Sequence, residues 1–212
     1  MGRVVSPHDL LRLAPGTPDF AGAPAWVAAS LKRAPFVVVR RSSSLNDCVA
    51  VGVRGEMRSE RFGSWLDQRY VEQVLKPEAL KDMQPLTTRA KLPAFALLRA
   101  IPSLCDLSGC VWGPTGSTGF EIASGCATVT QTSDLDLLMR APERLDRAMA
   151  KTLFDALSKA ALDHGTRVDV QIETHDAVFS LAEFAHSGAR VMLRCADGPK
   201  LVADPWQTSH AA

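Results

Sequence analysis

Gly113-Pro114-Thr115-Gly116-Ser117-Thr118-Gly119-Phe120, followed after a polar loop by Asp134-Leu135-Asp136-Leu137-Leu138-Met139, decides how this chain is read. Gly109–Trp112 reads as a short strand, the glycine-rich turn opens into a short helix over Phe120–Ala123, and residues 134–139 return as a strand. The order is therefore strand, glycine turn, helix, strand. In a strand the side chains of i and i+2 share a face, so Asp134 and Asp136 stand together while Leu135 and Leu137 face a core.

The pattern continues outward on both sides. Residues 143–164 place Leu145, Met149, Leu153, Ala156, Leu157 and Ala160 on one helical stripe, and Gly165 stops that helix. Arg167–Glu173 alternates Val168, Val170 and Ile172 with Asp169, Gln171 and Glu173, a strand with an apolar and a polar face. Residues 177–185 read as helix. Residues 190–194 and 200–203 read as two strands joined by Ala196-Asp197-Gly198-Pro199. Upstream, Ala94–Leu104 reads as a helix with an irregularity at Pro102, and Asp82–Pro93 as a linker. The N-terminal part offers a helix at His8–Leu13 with Ser6 as cap, a helix around Trp26–Leu31, and strands at Phe36–Arg41 and Cys48–Arg54. A further helix is expected over Arg61–Leu80, with Pro77 starting a fresh short one. The fold class expected is α+β, with a small N-terminal α/β domain over residues 1–82 and a second domain over 83–212.

The chain has 212 residues, 46% hydrophobic and 22% charged, enough to bury a core. A net charge of +1 speaks against the strongly basic surface of a nucleic-acid binder. The charge is uneven, with 15 Lys+Arg against 10 Asp+Glu in residues 1–110 and 9 against 13 in the remainder. Five cysteines, Cys48, Cys105, Cys110, Cys126 and Cys195, form no CxxC pair and read as buried free thiols. Met1–Pro15 has no continuous apolar core, and every apolar run is interrupted well short of a membrane span. The expectation is a cytoplasmic protein with no membrane partner.

Two carboxylates on one strand face repel unless a cation lies between them, and oxygen donors suit Mg²⁺ or Mn²⁺. Asp169, on the polar face of the next strand, is the natural third ligand. Gly116 and Ser117, at a helix N-terminus, offer backbone N–H groups and a hydroxyl to a phosphate chain. The turn is not a P-loop, since no Gly-Lys-Ser/Thr follows. A phosphate chain held there wants further cations. Arg40, Arg41, Arg54, Arg58 and Arg61 are candidates, Arg40 and Arg54 foremost, with Arg167, Arg190 and Arg194 as rivals. Among the other residues, Glu121 reads as a surface or capping residue, His8 as a structural hydrogen bonder, and Trp112 and Trp206 as core. His164, His175, His186 and His210 are not flanked as ligands or bases.

These residues resemble the nucleotidyltransferase superfamily, whose palm sheet carries three metal-binding carboxylates. More narrowly, the chain resembles the malonate decarboxylase holo-[acyl-carrier-protein] synthases, the phosphoribosyl-dephospho-CoA transferases. The resemblance runs from Pro7-His8-Asp9-Leu10-Leu11 through Val38-Val39-Arg40-Arg41, Val51-Gly52-Val53-Arg54-Gly55 and Trp112–Glu121 to Ser133–Leu137, Val168–Gln171 and Asp204-Pro205-Trp206. It implies a nucleotidyltransferase-like second domain with a mixed sheet flanked by helices. The implied donor is 2′-(5″-triphosphoribosyl)-3′-dephospho-CoA, the acceptor a serine of the apo acyl carrier subunit of malonate decarboxylase, and the leaving group pyrophosphate. By the same resemblance Asp134 and Asp136 are metal ligands, Asp169 holds the metal that activates the serine, and Gly116 and Ser117 hold the departing pyrophosphate. Two other readings stand beside it: a nucleotidyltransferase using an ordinary NTP, and a non-catalytic module that binds the carrier or its cofactor.

Overall fold

The computed structural model describes all residues except 1–3, 43–46, 58, 84, 176, 187, 189 and 208–212, so Arg58 and His210 fall outside the described residues. Two sheets organise the chain. The first comprises β1 (Leu10–Leu13), β2 (Phe36–Val39), β3 (Cys48–Arg54), β4 (Arg61–Asp67) and β5 (Val71–Leu75), antiparallel throughout, in the order β4-β3-β2-β1-β5. Helix α1 (Ala25–Arg33) packs on it, and α2 (Pro77–Leu80) follows.

The expected helix at His8–Leu13 is strand β1. Its adjacent leucines are both buried, Leu10 in one core and Leu11 in another, because β1 is central and covered on both faces. Such a strand shows no alternation to read. The expected helix over Arg61–Leu80 is also corrected. Residues 61–75 form β4, a 3₁₀ turn (Gln68–Tyr70) and β5, and only Pro77–Leu80 is helical. Seven consecutive residues of β4 pair with β3, from Cys48↔Asp67 to Arg54↔Arg61, and this pairing outweighs the helix-like spacing of Phe62, Trp65 and Leu66. Since β4 and β5 are opposite edges yet only three residues separate them, the sheet must curl until its edges approach. Inside the curl lie Leu11, Val27, Val37, Val39, Val51 and Leu66.

Helices α3 (Pro93–Ala100) and α4 (Pro102–Asp106) lead into the second sheet, broken at Pro102 as the sequence suggests. This sheet holds β6 (Val111–Pro114), β7 (Leu135–Arg140), β8 (Val168–Glu173), β9 (Ala177–Ser180), β10 (Val191–Cys195) and β11 (Gly198–Val202), in the order β11-β10-β9-β8-β7-β6. It is mixed. The pair β7–β8 is parallel and all others are antiparallel. Helix α5 (Gly116–Ser124) joins β6 to β7, and α6 (Arg147–Asp163) makes the crossover a parallel pair requires. Asp146 caps α6, accepting from the N–H groups of Ala148 and Met149, so the helix starts four residues later than its apolar stripe suggests. Residues 177–185 are a correction too: β9 precedes α7 (Leu181–His186), and Ala177, Val178 and Phe179 are all buried. The architecture is the expected α+β class.

The two sheets meet in the first of the two cores, the one that holds Leu10. Leu10, Ala34 and Phe36 lie in the same buried cluster as Trp112, Leu135, Leu137, Met139 and Leu157. Helix α2 sits on β6 so closely that a β-carbon at Gly113 would come within 1.9 Å of the Pro77 carbonyl oxygen. Among the described residues, no helix is long and apolar enough to cross a membrane.

Candidate active site

The glycine turn meets Asp136. The Thr115 N–H donates to the Asp136 carbonyl at 2.8 Å, fixing the end of β6 against β7. Gly116 then opens α5 with φ of +57°, and a β-carbon there would stand 1.8 Å from Asp136 Oδ2. The Asp136 carboxylate therefore lies directly on the turn, where the first N–H groups of α5 have no helical acceptor. Gly116 is exposed and Ser117 half-buried.

Parallel pairing places Asp136 opposite Asp169, one strand apart. Both side chains project from one face, with Asp136 half-buried and Asp169 exposed. Asp134, just before β7, accepts two hydrogen bonds from Arg167, at 3.0 Å from Nε and 3.0 Å from Nη2. This raises the Arg167 pKa above its ordinary value, through the hydrogen bond first and the charge second. Among the described residues, no group of three or more His, Cys, Asp or Glu side chains is gathered to hold a metal ion. Asp136 and Asp169 nevertheless supply a pair of oxygen donors on neighbouring strands, a donor set that fits a hard divalent cation.

Arg40 directly follows β2, and Arg54 lies on β3. Arg40 lies over Gly63, beside a depression of about 160 Å³ that Ser42, Ser64 and Trp65 help to line. Arg54 ends β3, paired across to Arg61. Neither is on the strands that carry the aspartates.

The structure gathers a cluster that sequence reasoning did not assemble, although Arg41 and Arg194 stand among its candidate phosphate cations. Four residues along the same face from Asp136 stands Arg140, in register with Glu173, which pairs with Val178, which pairs with Arg194. Arg140 bonds Glu173 and reaches Asp9 Oδ1 and Glu78 Oε2, both at 3.4 Å. Arg41, two residues past the end of β2, meets Glu173 at 2.5 Å. Asp9 is fully buried, and burial raises its pKa from 3.8 to about 6, only partly offset by the Ser6 N–H and Arg140. Next to it, His8 is the third residue of the turn Ser6-Pro7-His8-Asp9, closed by the Asp9 N–H on the Ser6 carbonyl at 3.1 Å. That position requires positive φ, which normally selects glycine or asparagine, and His8 holds +74°. Burial, then Arg41, Arg140 and Arg194, lower its pKa from 6.5 to about 4. The alternation of β8 already put Glu173 on the polar face with Asp169, but its partners come from strands far away in sequence.

Glu121 is not the surface residue expected. It is 2% exposed and accepts from Thr128 N–H at 2.7 Å, from Val129 N–H at 2.8 Å and from Arg89. Burial pushes its carboxyl up, but Arg89 and the two N–H groups outweigh this and hold it below the ordinary range. The residue thus ties α5 to the loop that leads into Asp134. Trp112 is buried as expected, and Trp206 packs against Phe179 and Phe184.

Residues 6–77 match the family model described as the phosphoribosyl-dephospho-CoA transferase MdcG N-terminal domain, and residues 79–205 match the corresponding C-terminal domain. A phosphoribosyl-dephospho-CoA transferase of Pseudomonas fluorescens is 39% identical over 206 residues, covering 97% of this chain and 96% of the relative. Relatives of the same name are 39% identical in Pseudomonas aeruginosa, covering 96% of this chain and 95% of the relative, and 40% identical in Pseudomonas syringae, covering 98% and 96%. No solved structure gives a significant match. The two halves, each matched by its own model, and the near-complete coverage by these relatives show that the chain belongs to the MdcG family of phosphoribosyl-dephospho-CoA transferases.

Proposed function

We propose that this transferase moves the phosphoribosyl-dephospho-CoA group from 2′-(5″-triphosphoribosyl)-3′-dephospho-CoA to a serine of the apo acyl carrier subunit of malonate decarboxylase. The observation that carries this reading is the in-register pair Asp136–Asp169, of which Asp136 lies against Gly116. The serine oxygen attacks the α-phosphorus of the 5″-triphosphate, a P–O bond forms, the bond between the α-phosphorus and its bridging oxygen to the β-phosphorus breaks, and pyrophosphate departs. Asp169, exposed beside Asp136, takes the serine proton. The N–H groups of Gly116 and Ser117 hold the departing pyrophosphate. Mg²⁺ or Mn²⁺ held by Asp136 and Asp169, with Asp134 once it leaves Arg167, would neutralise the charge that builds on the phosphates.

The test is the intact mass of purified apo carrier subunit after incubation with the protein, Mg²⁺ and the donor. A gain equal to the donor minus pyrophosphate, located on a serine, supports the reading. Absence of the gain rejects it, and label transferred from ATP or CTP instead would point to an ordinary nucleotidyltransferase.

A further inference from the structure

The face that carries Asp136 and Asp169 holds a second polar row, and the proposed donor carries a second phosphate group. Register aligns Arg140, Glu173, Val178 and Arg194 across β7, β8, β9 and β10. This row lies four residues along β7 from Asp136, roughly 13 Å at the usual rise of a strand. Between the rows stand Leu138, Gln171 and Ser180, in register across β7, β8 and β9, with Leu138 buried and Gln171 and Ser180 half-buried.

At the far row residues beside the first sheet complete the site. Arg41 gives Nη2 to Glu173, while its Nε is buried without a hydrogen-bond partner among the described residues. Arg194 is exposed and has no acceptor among the described residues. His8 immediately precedes the buried Asp9 that Arg140 reaches, and its N–H donates to the Val39 carbonyl at 2.9 Å; the charges of Arg41, Arg140 and Arg194 act on its ring, and its positive φ costs free energy for any residue with a β-carbon. Arg140 is occupied by Asp9, Glu78 and Glu173. The donors left for a ligand are thus Arg194, the under-used Arg41 and the His8 ring.

Resting on the donor identified above, we propose that His8, Arg41 and Arg194 bind the 5′-diphosphate of its dephospho-CoA moiety. The triphosphate lies at the aspartates while this diphosphate lies across the sheet, and the ribosyl-adenosine spacer bridges the two rows. A diphosphate presents several acceptor oxygens to guanidinium forks, the chemistry Arg provides best.

Isothermal titration with 3′-dephospho-CoA, which has the 5′-diphosphate and no triphosphate, tests the assignment. Arg194→Ala is expected to weaken its binding about tenfold, the scale of one charge-assisted contact. Binding of inorganic tripolyphosphate with Mg²⁺ is expected to change less than about twofold in that variant, and Asp136→Asn to show the reverse pattern. His8→Gly keeps the turn, since glycine accepts positive φ, and is expected to weaken dephospho-CoA while remaining folded. Unaltered dephospho-CoA affinity in both Arg194→Ala and His8→Gly overturns the assignment, as does a failure of the unsubstituted protein to bind dephospho-CoA. The carrier-mass assay judges the transferase reading separately. If the protein modifies the carrier with the same donor KM in Arg194→Ala, only the diphosphate site is wrong.

Discussion

Arg167 holds Asp134 through two hydrogen bonds of 3.0 Å, one from Nε and one from Nη2, although the arginine side chain is 80% exposed. The repulsion expected between Asp134 and Asp136 is thereby relieved inside the protein. A cation drawn to this face has to compete with Arg167 for Asp134. Arg167→Ala should therefore leave the melting temperature nearly unchanged and lower the Mg²⁺ concentration that gives half-maximal transfer. Titrating Mg²⁺ against rate for both proteins checks this, and a higher Mg²⁺ requirement in the variant would reject it.

Asp136→Ala should reduce transfer by at least about a hundredfold, the scale seen when one electrostatic stabiliser of a reacting group is removed. The protein should stay folded, because the substitution also removes a carboxylate standing opposite Asp169. Circular dichroism and the carrier-mass assay on the same preparation separate the two outcomes.

Gly116 and Gly125 offer a paired test. Both have positive φ, +57° and +71°, but a β-carbon at Gly116 would strike Asp136 while one at Gly125 meets nothing within 4 Å. Alanine at either should cost about 1–2 kcal/mol for the left-handed backbone. Only Gly116→Ala should also displace Asp136 and lower turnover. Denaturant titration gives the stability cost and the transfer assay the rest.

The neighbours His8 and Asp9 make opposite contributions to stability between pH 4 and 6.5. Folded Asp9 keeps its proton up to about pH 6, whereas the unfolded chain loses it near 3.8, so raising pH through that window costs stability. Folded His8 loses its proton near 4, whereas the unfolded chain keeps it to 6.5, so raising pH there adds stability. The two slopes largely cancel. Relative to the unsubstituted protein, Asp9→Asn should gain stability as pH rises from 4 to 6, and His8→Gly should lose it. Urea unfolding at several pH values would show the two slopes.

Glu121→Ala should cost about 1–3 kcal/mol, because it removes the acceptor of the Thr128 and Val129 N–H groups at a buried carboxylate. Glu121→Gln retains an acceptor and should cost less. Since the loop ahead of Asp134 is fastened here, turnover should fall in step with stability across the two variants. Full turnover in a destabilised Glu121→Ala would show that the loop holds its shape without the clamp.

What could be read from the sequence was local. Asp134, Asp136, the glycine turn and Asp169 sit in short segments whose periodicity shows on inspection, and register then brings Asp136 and Asp169 together. β1 was hidden because both its faces are buried, which leaves Leu10-Leu11 looking like helix. β4 was hidden because its outer neighbours are exposed, Trp65 at 42%, so apolar spacing followed no single face. The Arg41–Glu173 contact joins residues 132 positions apart, and Glu121 finds Arg89 and Val129 only after folding. No spacing rule reaches such pairs.

The curled first sheet lends Leu10, Ala34 and Phe36 to the core built around β7 and α6, and α2 rests its backbone on Gly113. Neither half can therefore melt without stripping the other of part of its interior. Two family models divide the chain, yet its packing makes one unit of cooperativity: heat should unfold it in a single calorimetric peak.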